Sequence, residues 1–467
     1  MAGRQGALVF ADISGYTRFT RMHATSLLHA EAIISELMDA VITTADFPLR
    51  VGQLEGDAVL LVAEVAEGRV EEAARDVVRQ IGAIFTAFIL RERSMIACDA
   101  GCVCDACTNI GQLRLKAVLH AGAFQVRRIG DVADLAGADV RRLRTLTKTP
   151  VPWREYILMT RTFYELSGGL EGRAPDLHLA EPDGPLMIYL PPANDAPAPP
   201  LPGGGPALAG RLNRHAFARM LGRTPRVPFN NLADGRTNLL RYLLEGTQSG
   251  LNLLRRWTRR HRAEAQVRSV VLALVEVSGL AELEGPHTEP VLTELLRVVT
   301  AAVRPPLVLN KLEDAAVLCY ALANEDSTAV VQAVMAQVPQ WCVALREGAA
   351  GLLARGGYPP ELCRALSGLG LRVLLHAGEA ALKRVFQFDE IAGQDIILIH
   401  RLLHNSVPYR DYLLITEPVY RRLAPDGHAG LKLRVEQVDG FGAVSVWLRL
   451  LSDPSSQPLP PAPNPNP

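Results

Sequence analysis

The chain is written twice, and the two copies have lost different residues. The first copy reads Leu8-Val9-Phe10-Ala11-Asp12-Ile13-Ser14-Gly15, then Gln53-Leu54-Glu55-Gly56-Asp57-Ala58, Leu119-His120-Ala121-Gly122, Ala136-Gly137-Ala138-Asp139-Val140 and Val151-Pro152-Trp153-Arg154-Glu155-Tyr156. The second reads Leu272-Ala273-Leu274-Val275-Glu276-Val277-Ser278-Gly279, then Lys311-Leu312-Glu313-Asp314-Ala315-Ala316, Leu375-His376-Ala377-Gly378, Ala392-Gly393-Gln394-Asp395-Ile396 and Val407-Pro408-Tyr409-Arg410-Asp411-Tyr412. From His120 to Tyr156 and from His376 to Tyr412 the copies align without a gap. A repeat this long is a domain rather than a solenoid unit, so the pattern implies two related domains packed as a pseudo-dimer.

A length of 467 residues leaves room for two or three domains with proper cores. The formal net charge of zero supplies no global field toward nucleic acid or a membrane. Asp12 and Arg18 interrupt the apolar core a signal peptide needs. No apolar run reaches the roughly 18 residues of a spanning helix, so no transmembrane segment is expected. A cytoplasmic location is the expectation. Seven cysteines, an odd number, suit a reducing compartment better than a disulfide framework.

Leu8 to Ile13 reads as a buried strand closed by Ser14-Gly15. Residues 24–45 carry apolar side chains three and four apart, which is helical, and Val70 to Leu90 does the same. Val51 to Val65 alternates around Glu55-Gly56-Asp57 and reads as two strands with a tight turn. Leu113 to Leu119 is a strand and Val126 to Val132 another, Val140 to Leu146 begins a helix, and Tyr156 to Met159 is a strand. That β-α-β-β-α-β order is α+β and ferredoxin-like, and the second copy repeats it from Val270. The expected organisation is a first repeat over 1–190, a Pro/Gly-rich linker at 191–210, an arginine-rich connector at 211–267, a second repeat over 268–452 and a disordered tail at 453–467. Thirteen arginines against three acids mark residues 211–268. A connecting segment with a solvated basic face explains them, because Gly235, Gly246 and Gly250 interrupt any continuous helical face. Weak contact with an anionic membrane surface, or contact with acidic protein, is the competing reading.

Asp12 ends a strand and Asp57 sits at a turn. Two carboxylates at strand ends on one side of a sheet can hold Mg²⁺ together with phosphate oxygens. The bland alternative makes Asp12 a helix cap and Asp57 a turn residue.

Phe10-Ala11-Asp12-Ile13-Ser14-Gly15-Tyr16-Thr17 resembles the first-strand motif of class III nucleotidyl cyclases, Phe-x-Asp-Ile-x-Gly-Phe-Thr. Gly56-Asp57 resembles the second metal motif of that family, and Leu119-His120-Ala121-Gly122 its Gly-Ile-His-x-Gly strand. The details also resemble the uncharacterised cyclase-like family DUF2652, on Leu54-Glu55-Gly56-Asp57-Ala58 and the cysteine cluster before Leu113-Arg114-Leu115-Lys116. The resemblance implies two cyclase-type domains forming an intramolecular pseudo-dimer with composite sites between them. By position, Asp12 and Asp57 match the metal pair for Mg²⁺ or Mn²⁺, and their counterparts are Glu276 and Ala315. The purine-reading Lys falls on Lys311 in copy two and on Gln53 in copy one. The purine-reading acid falls on Glu390 and on Asp134. The transition-state Arg, the catalytic position, falls on Arg401 and on Thr145. The ribose Asn is missing, with Ile397 and Arg141 in its place. One composite site therefore keeps Asp12, Asp57, Lys311, Glu390 and Arg401, and the opposite site looks dead. The implied partner is ATP or another purine nucleotide, with no role for nucleic acid. The implied activity is ATP to cyclic AMP. The alternative, favoured by Ile397, is an inactive homologue serving as a nucleotide-responsive or protein-interaction module. For Lys311 and Arg401 the bland reading is salt bridging with Glu313 and Asp395.

Cys98, Cys102, Cys104 and Cys107 give four soft ligands in a short loop, enough for a tetrahedral Zn²⁺ site. Only Cys104 and Cys107 have paired zinc-knuckle spacing, and a cysteine-rich loop or a redox-labile pair competes with metal. His120 and His376 lie on buried strands and read as core histidines.

Overall fold

The computed structural model describes residues 4–22, 27–65, 69–98, 105–130, 132–191, 266–280, 285, 287–323, 327–385 and 388–452. The linker, nearly all of the arginine-rich connector and the tail beyond residue 452 lie outside these residues.

The first repeat runs β1 (Arg4–Ser14), α1 (Tyr16–Met22), α2 (Leu27–Thr44), β2 (Arg50–Glu55), β3 (Ala58–Val65), α3 (Val70–Cys98), α4 (Asp105–Thr108), β4 (Arg114–Ile129), β5 (Val132–Ala136), α5 (Ala138–Leu146), β6 (Tyr156–Met159), α6 (Arg161–Ser167), β7 (Leu177–Leu179) and β8 (Leu186–Tyr189). The second runs β9 (Gln266–Ser278), α7 (Thr288–Ala301), β10 (Val308–Glu313), β11 (Ala316–Leu322), α8 (Ser327–Met335), α9 (Val338–Arg355), α10 (Pro360–Ser367), β12 (Gly370–Val385), β13 (Phe388–Ala392), α11 (Gln394–Leu402), β14 (Tyr412–Thr416), α12 (Glu417–Tyr420), β15 (Lys432–Val438) and β16 (Gly442–Leu450).

The two sheets have one topology. The orders are β2-β3-β1-β4-β6-β8-β7 and β10-β11-β9-β12-β14-β16-β15, with β5 on β4 and β13 on β12. The β4–β6 and β12–β14 pairs are parallel and the other strand pairs antiparallel. The fold is α+β, two ferredoxin-like domains, as the element order implies. One expectation is corrected. Residues 113–132 do not form two strands; β4 is a single strand of 16 residues that turns at Gly130 (φ +57°) into β5. Its last five residues, 125–129, run past the sheet and pair only with β5, forming a tongue.

The unbroken apolar run of β1 is explained by burial on both faces. Ala7, Val9, Ala11 and Ile13 pack with α2 and α3, while Leu8 and Phe10 pack with Val140 and Leu143 of α5. The repeats also share their cores. Ile129 at the tip of the first tongue belongs to the core of the second repeat, and Ile397 on α11 packs against that of the first. This reciprocal contact makes the pair an intramolecular pseudo-dimer. Residues 327–355 pass for a membrane span by length and composition, on an 18-residue window of mean hydropathy 1.3. Here Val331, Val334, Trp341, Leu345 and Leu352 line the core of the second repeat.

Candidate functional site between the repeats

Two carboxylates meet at the end of β1. The β2–β3 turn places Asp57 beside Asp12, since Asp12 pairs with Ala58 and the Ile13 N–H donates to the Asp57 carbonyl at 3.1 Å. Gly56 makes the turn possible at φ +68°, a conformation open to glycine without a Cβ penalty. Loss of water, then the negative charge of Asp12, holds the Asp57 carboxyl well above the usual carboxylate range. Across the ladder from Asp12 stands Lys116, whose Nζ lies 2.8 Å from Asp12 Oδ2 and donates to the Thr147 carbonyl at 3.1 Å. Burial pulls the Lys116 ammonium down, but Asp12 more than offsets this and its pKa is raised.

The donor set fits a hard divalent cation. Its ligating atoms are carboxylate oxygens, and once Asp57 gives up its proton two carboxylates stand against one ammonium. The matching corner of the second repeat is closed. Glu276 pairs with Arg372 at 3.1 Å, Ala315 offers no carboxylate, and Asp314 takes the place of Gly56 at φ +49°. Asp314 is held there by Arg144 of the first repeat at 2.5 Å.

The residues contributed by the second repeat are buried and mutually paired. Lys311 Nζ lies 3.2 Å from Glu390 Oε2 and 3.7 Å from Glu313 Oε1. Desolvation lowers the Lys311 pKa, yet Glu390, Glu313 and the more distant Glu55 of the first repeat raise it overall. Glu313 in turn meets His400 Nε2 at 2.8 Å. Burial pushes Glu313 up, but His400, Lys311 and Arg144 bring it down to about 2. Arg401 bonds Asp439, not Asp395, and its Nη2 donates to Thr17 Oγ1 at 3.1 Å. That bond carries α11 onto α1, five residues past Asp12. Ile397 faces the same helix region as an apolar contact.

A second cross-repeat link stands behind it. Lys383 on β12 reaches Glu31 on α2 at 2.7 Å, with both side chains at most 1 % exposed, and Tyr16 donates to the other Glu31 oxygen at 2.9 Å. Burial first, then Glu31 and Asp57, push the Tyr16 hydroxyl well up. Gln394 Nε2 donates to the Thr20 carbonyl at 2.7 Å. Asp12, Asp57, Arg401, Glu31 and Lys383 therefore frame one face of the junction.

The opposite set is occupied by structural bonds. Gln53 Nε2 donates to the Leu312 carbonyl at 3.2 Å and its Oε1 accepts from Arg144 at 3.1 Å. Asp134 pairs with buried Arg127; desolvation pushes its carboxyl up to about 6 even though Arg127 and Arg144 pull the other way. Thr145 turns back to the Arg141 carbonyl at 3.1 Å, and Arg141 pairs with Glu289 on α7.

Sequence reasoning passed over Lys116, Arg144, Glu31 and Lys383. A signal existed for the first. Lys116 and Arg372 both stand four residues before the motif histidine, opposite Asp12 and Glu276. The histidines themselves are buried core residues. His120 Nδ1 lies 2.9 Å from Thr160 Oγ1 and its Nε2 3.1 Å from Asp139, while His376 lies 2.7 Å from Thr416 and 3.0 Å from Asp395.

Of the cysteine cluster, Cys102 and Cys104 lie outside the described residues and Cys98 closes α3. Half-buried Cys107 on α4 has its Sγ 4.0 Å from His29 Nδ1. Among the described residues, no group of three or more His, Cys, Asp or Glu side chains is placed to share a metal.

Two matched sheets, each with side chains packed against the core of the other repeat, form a cyclase-like scaffold. The family described as "Protein of unknown function (DUF2652)" matches twice, at residues 34–156 and 292–412, and this chain belongs to it. Among solved structures, a class III adenylyl cyclase-like ATP-binding protein from Pseudomonas aeruginosa is similar in fold. Its TM-score is 0.53 at 12% identity, over 90% of this chain and 85% of that one. A curated relative, "Uncharacterized protein Rv2561/Rv2562" of Mycobacterium tuberculosis, is 40% identical over 57 residues. The match spans 12% of this chain and 27% of that protein, so the chain covers about a quarter of that relative's length.

Proposed function

We propose that this protein binds a purine nucleotide, ATP in the first instance, with Mg²⁺ or Mn²⁺ at the one composite site that keeps Asp12, Asp57, Lys311, Glu390 and Arg401. The supporting observation is the bond from Arg401 to Thr17, which sets the helix of the second repeat against the carboxylate-bearing end of the first. The cyclase-like relative of similar fold is itself described as ATP-binding.

A divalent ion held by Asp12 and Asp57 would supply the positive charge a triphosphate needs. The chain's own residues do the rest. Lys311, released from Glu390, donates to a ring nitrogen of the base, and Glu390 accepts from its exocyclic amine. Arg401, released from Asp439, offsets charge on the phosphates. Closure to cyclic AMP is the finer reading. Ile397 weighs against turnover, because an apolar side chain packed on the first repeat's core offers the ribose no amide.

Calorimetry with ATP and either metal tests the proposal. Binding is expected in the wild type. Asp57→Ala should abolish its metal dependence, and Lys311→Ala should weaken it by about 1–3 kcal/mol as a buried base edge goes unpaired. Gln53→Ala should leave affinity unchanged apart from any loss of fold. Equal effects at Lys311 and Gln53, or no binding with either metal, would sink the proposal. If ATP binds and no cyclic product forms, Ile397→Asn asks whether one missing amide silences the site.

A further inference from the structure

Four strands end the two sheets: β2 and β7 in the first repeat, β10 and β15 in the second. An edge strand presents a row of unpaired backbone groups and templates association unless it is shielded. Three of the four are shielded or short. Gln53 of β2 donates to the Leu312 carbonyl of β10 at 3.2 Å, so these edges face each other across the repeat junction. The tongues cover them further. The Leu135 N–H of β5 donates to Gln53 at 3.4 Å, and Asn310 of β10 reaches the Asp389 carbonyl of β13 at 3.5 Å. β7 has only three residues.

β15 is different. It has seven residues, contains no proline, and pairs with β16 in unbroken register. One of its faces is fixed: Glu436 and Val438 are buried, and Glu436 accepts from the Ser406 N–H at 2.9 Å. The other face is bare. Leu433 and Val435 are 63% and 56% exposed, among the most exposed large apolar side chains described. Trp447 stands opposite Leu433 on the same face and stacks on Tyr420 at 4.2 Å, which stacks on His428 at 4.4 Å. An open edge and an exposed apolar stripe on one strand form an interaction surface.

We propose that β15 is the contact through which a second copy of this chain pairs, edge to edge and antiparallel, about a twofold axis at Val435. The strand's own sequence selects this occupant. Centred on Val435, antiparallel self-pairing sets Arg434 against Glu436 of the second copy and Glu436 against its Arg434. Leu433 meets Gln437 and Lys432 meets Val438, so no like charges are opposed. Val435 alone meets itself. The pairing is isologous and uses the one long edge left uncovered among the described residues, so it closes at two chains instead of growing a fibre. This contact does not rest on the nucleotide reading, although Asp439, which holds Arg401, directly follows the last residue of β15.

Light scattering and sedimentation of the full chain over a concentration series test it. A dimer is expected for the wild type. Val435→Lys opposes two ammonium groups across the axis and should give a monomer; the side chain is exposed, so the circular dichroism spectrum should stay that of the wild type. Val435→Cys should oxidise to one cross-linked dimer that wild-type protein does not form, because directly opposed Cβ atoms in a sheet lie about 4.5–5.5 Å apart. A wild type that stays monomeric at every concentration overturns the proposal. So does a dimer that survives Val435→Lys or fails to cross-link through Val435→Cys.

Discussion

Gly122 and Gly378 show how much a single methyl group can decide. A Cβ on Gly122 would lie 2.3 Å from Asp139 Oδ2, and one on Gly378 2.1 Å from Asp395 Oδ2. Each carboxylate is pinned there, accepting the Ala123 or Glu379 N–H at 2.6 Å and meeting its buried histidine. The His-Ala-Gly and Gly-x-Asp motifs are therefore two halves of one lock, which is why both survive in both repeats. Gly122→Ala should cost about 1–3 kcal/mol by forced displacement in a packed region, read as a lower urea midpoint. Lys383 is the other decisive residue. Lys383→Met strands the Glu31 carboxylate in the interior and should cost about 3–5 kcal/mol. Adding Glu31→Gln should recover much of that loss, because the charge is then gone. A double variant no more stable than the single one would mean Glu31 is satisfied by Tyr16 alone.

At the level of elements, α5 and α11 occupy matching places, and Arg144 of the first stands where the second has His400. Arg144 on α5 bonds Glu55 at 2.5 Å, and His400 on α11 meets Glu313 at 2.8 Å. The arginine stays charged across the accessible range; the histidine titrates. Desolvation lowers the His400 pKa, but Glu313 outweighs it and the net shift is upward. A raised value means the contribution is full below the unfolded pKa of about 6.5 and is lost as pH rises through the folded value. Glu313, held down to about 2, contributes above its unfolded value and loses that contribution as pH falls toward 2. Stability from this pair is therefore greatest between roughly pH 5 and 6.5. His400→Gln should flatten the decline above that window, seen in thermal midpoints across a pH series against wild type. An unchanged slope would show that His400 does not titrate in the folded state.

The same elements mark the limit of what the sequence discloses. Strand and helix order could be read from periodicity, and the asymmetry of the half-sites from laying one copy on the other. The pairing of Asp12 with Lys116 depends on strand register, which residue identities alone do not fix. Lys383 and Glu31 lie 352 positions apart, beyond any local pattern. Arg144 is masked by Thr145, one position along, where the cyclase arginine would stand. The long β4 was split in two because Gly122, Ala123 and Gln125 break the apolar pattern where the strand leaves the core for the tongue.

For the whole molecule, the reciprocal tongues decide how the chain comes apart. Ile129 of the first repeat is 4% exposed inside the core of the second, and Ile397 of the second packs on the core of the first. The Lys383–Glu31 pair is satisfied only while the repeats are joined. A repeat released from its neighbour would expose apolar surface and leave a buried charge without its partner, so neither half is stable with the other unfolded. Calorimetry should therefore record the two repeats melting in one transition, with calorimetric and van't Hoff enthalpies in agreement. Ile129→Ala removes a contact that belongs to the first repeat by sequence and to the second by packing. It should cost the roughly 2–5 kcal/mol of a buried Ile-to-Ala change and lower that single midpoint accordingly, without dividing the transition. Two resolved transitions, with only one moved by Ile129→Ala, would show the repeats to be separate cooperative units. A composite site would then exist only while two independently folding domains happened to stay docked.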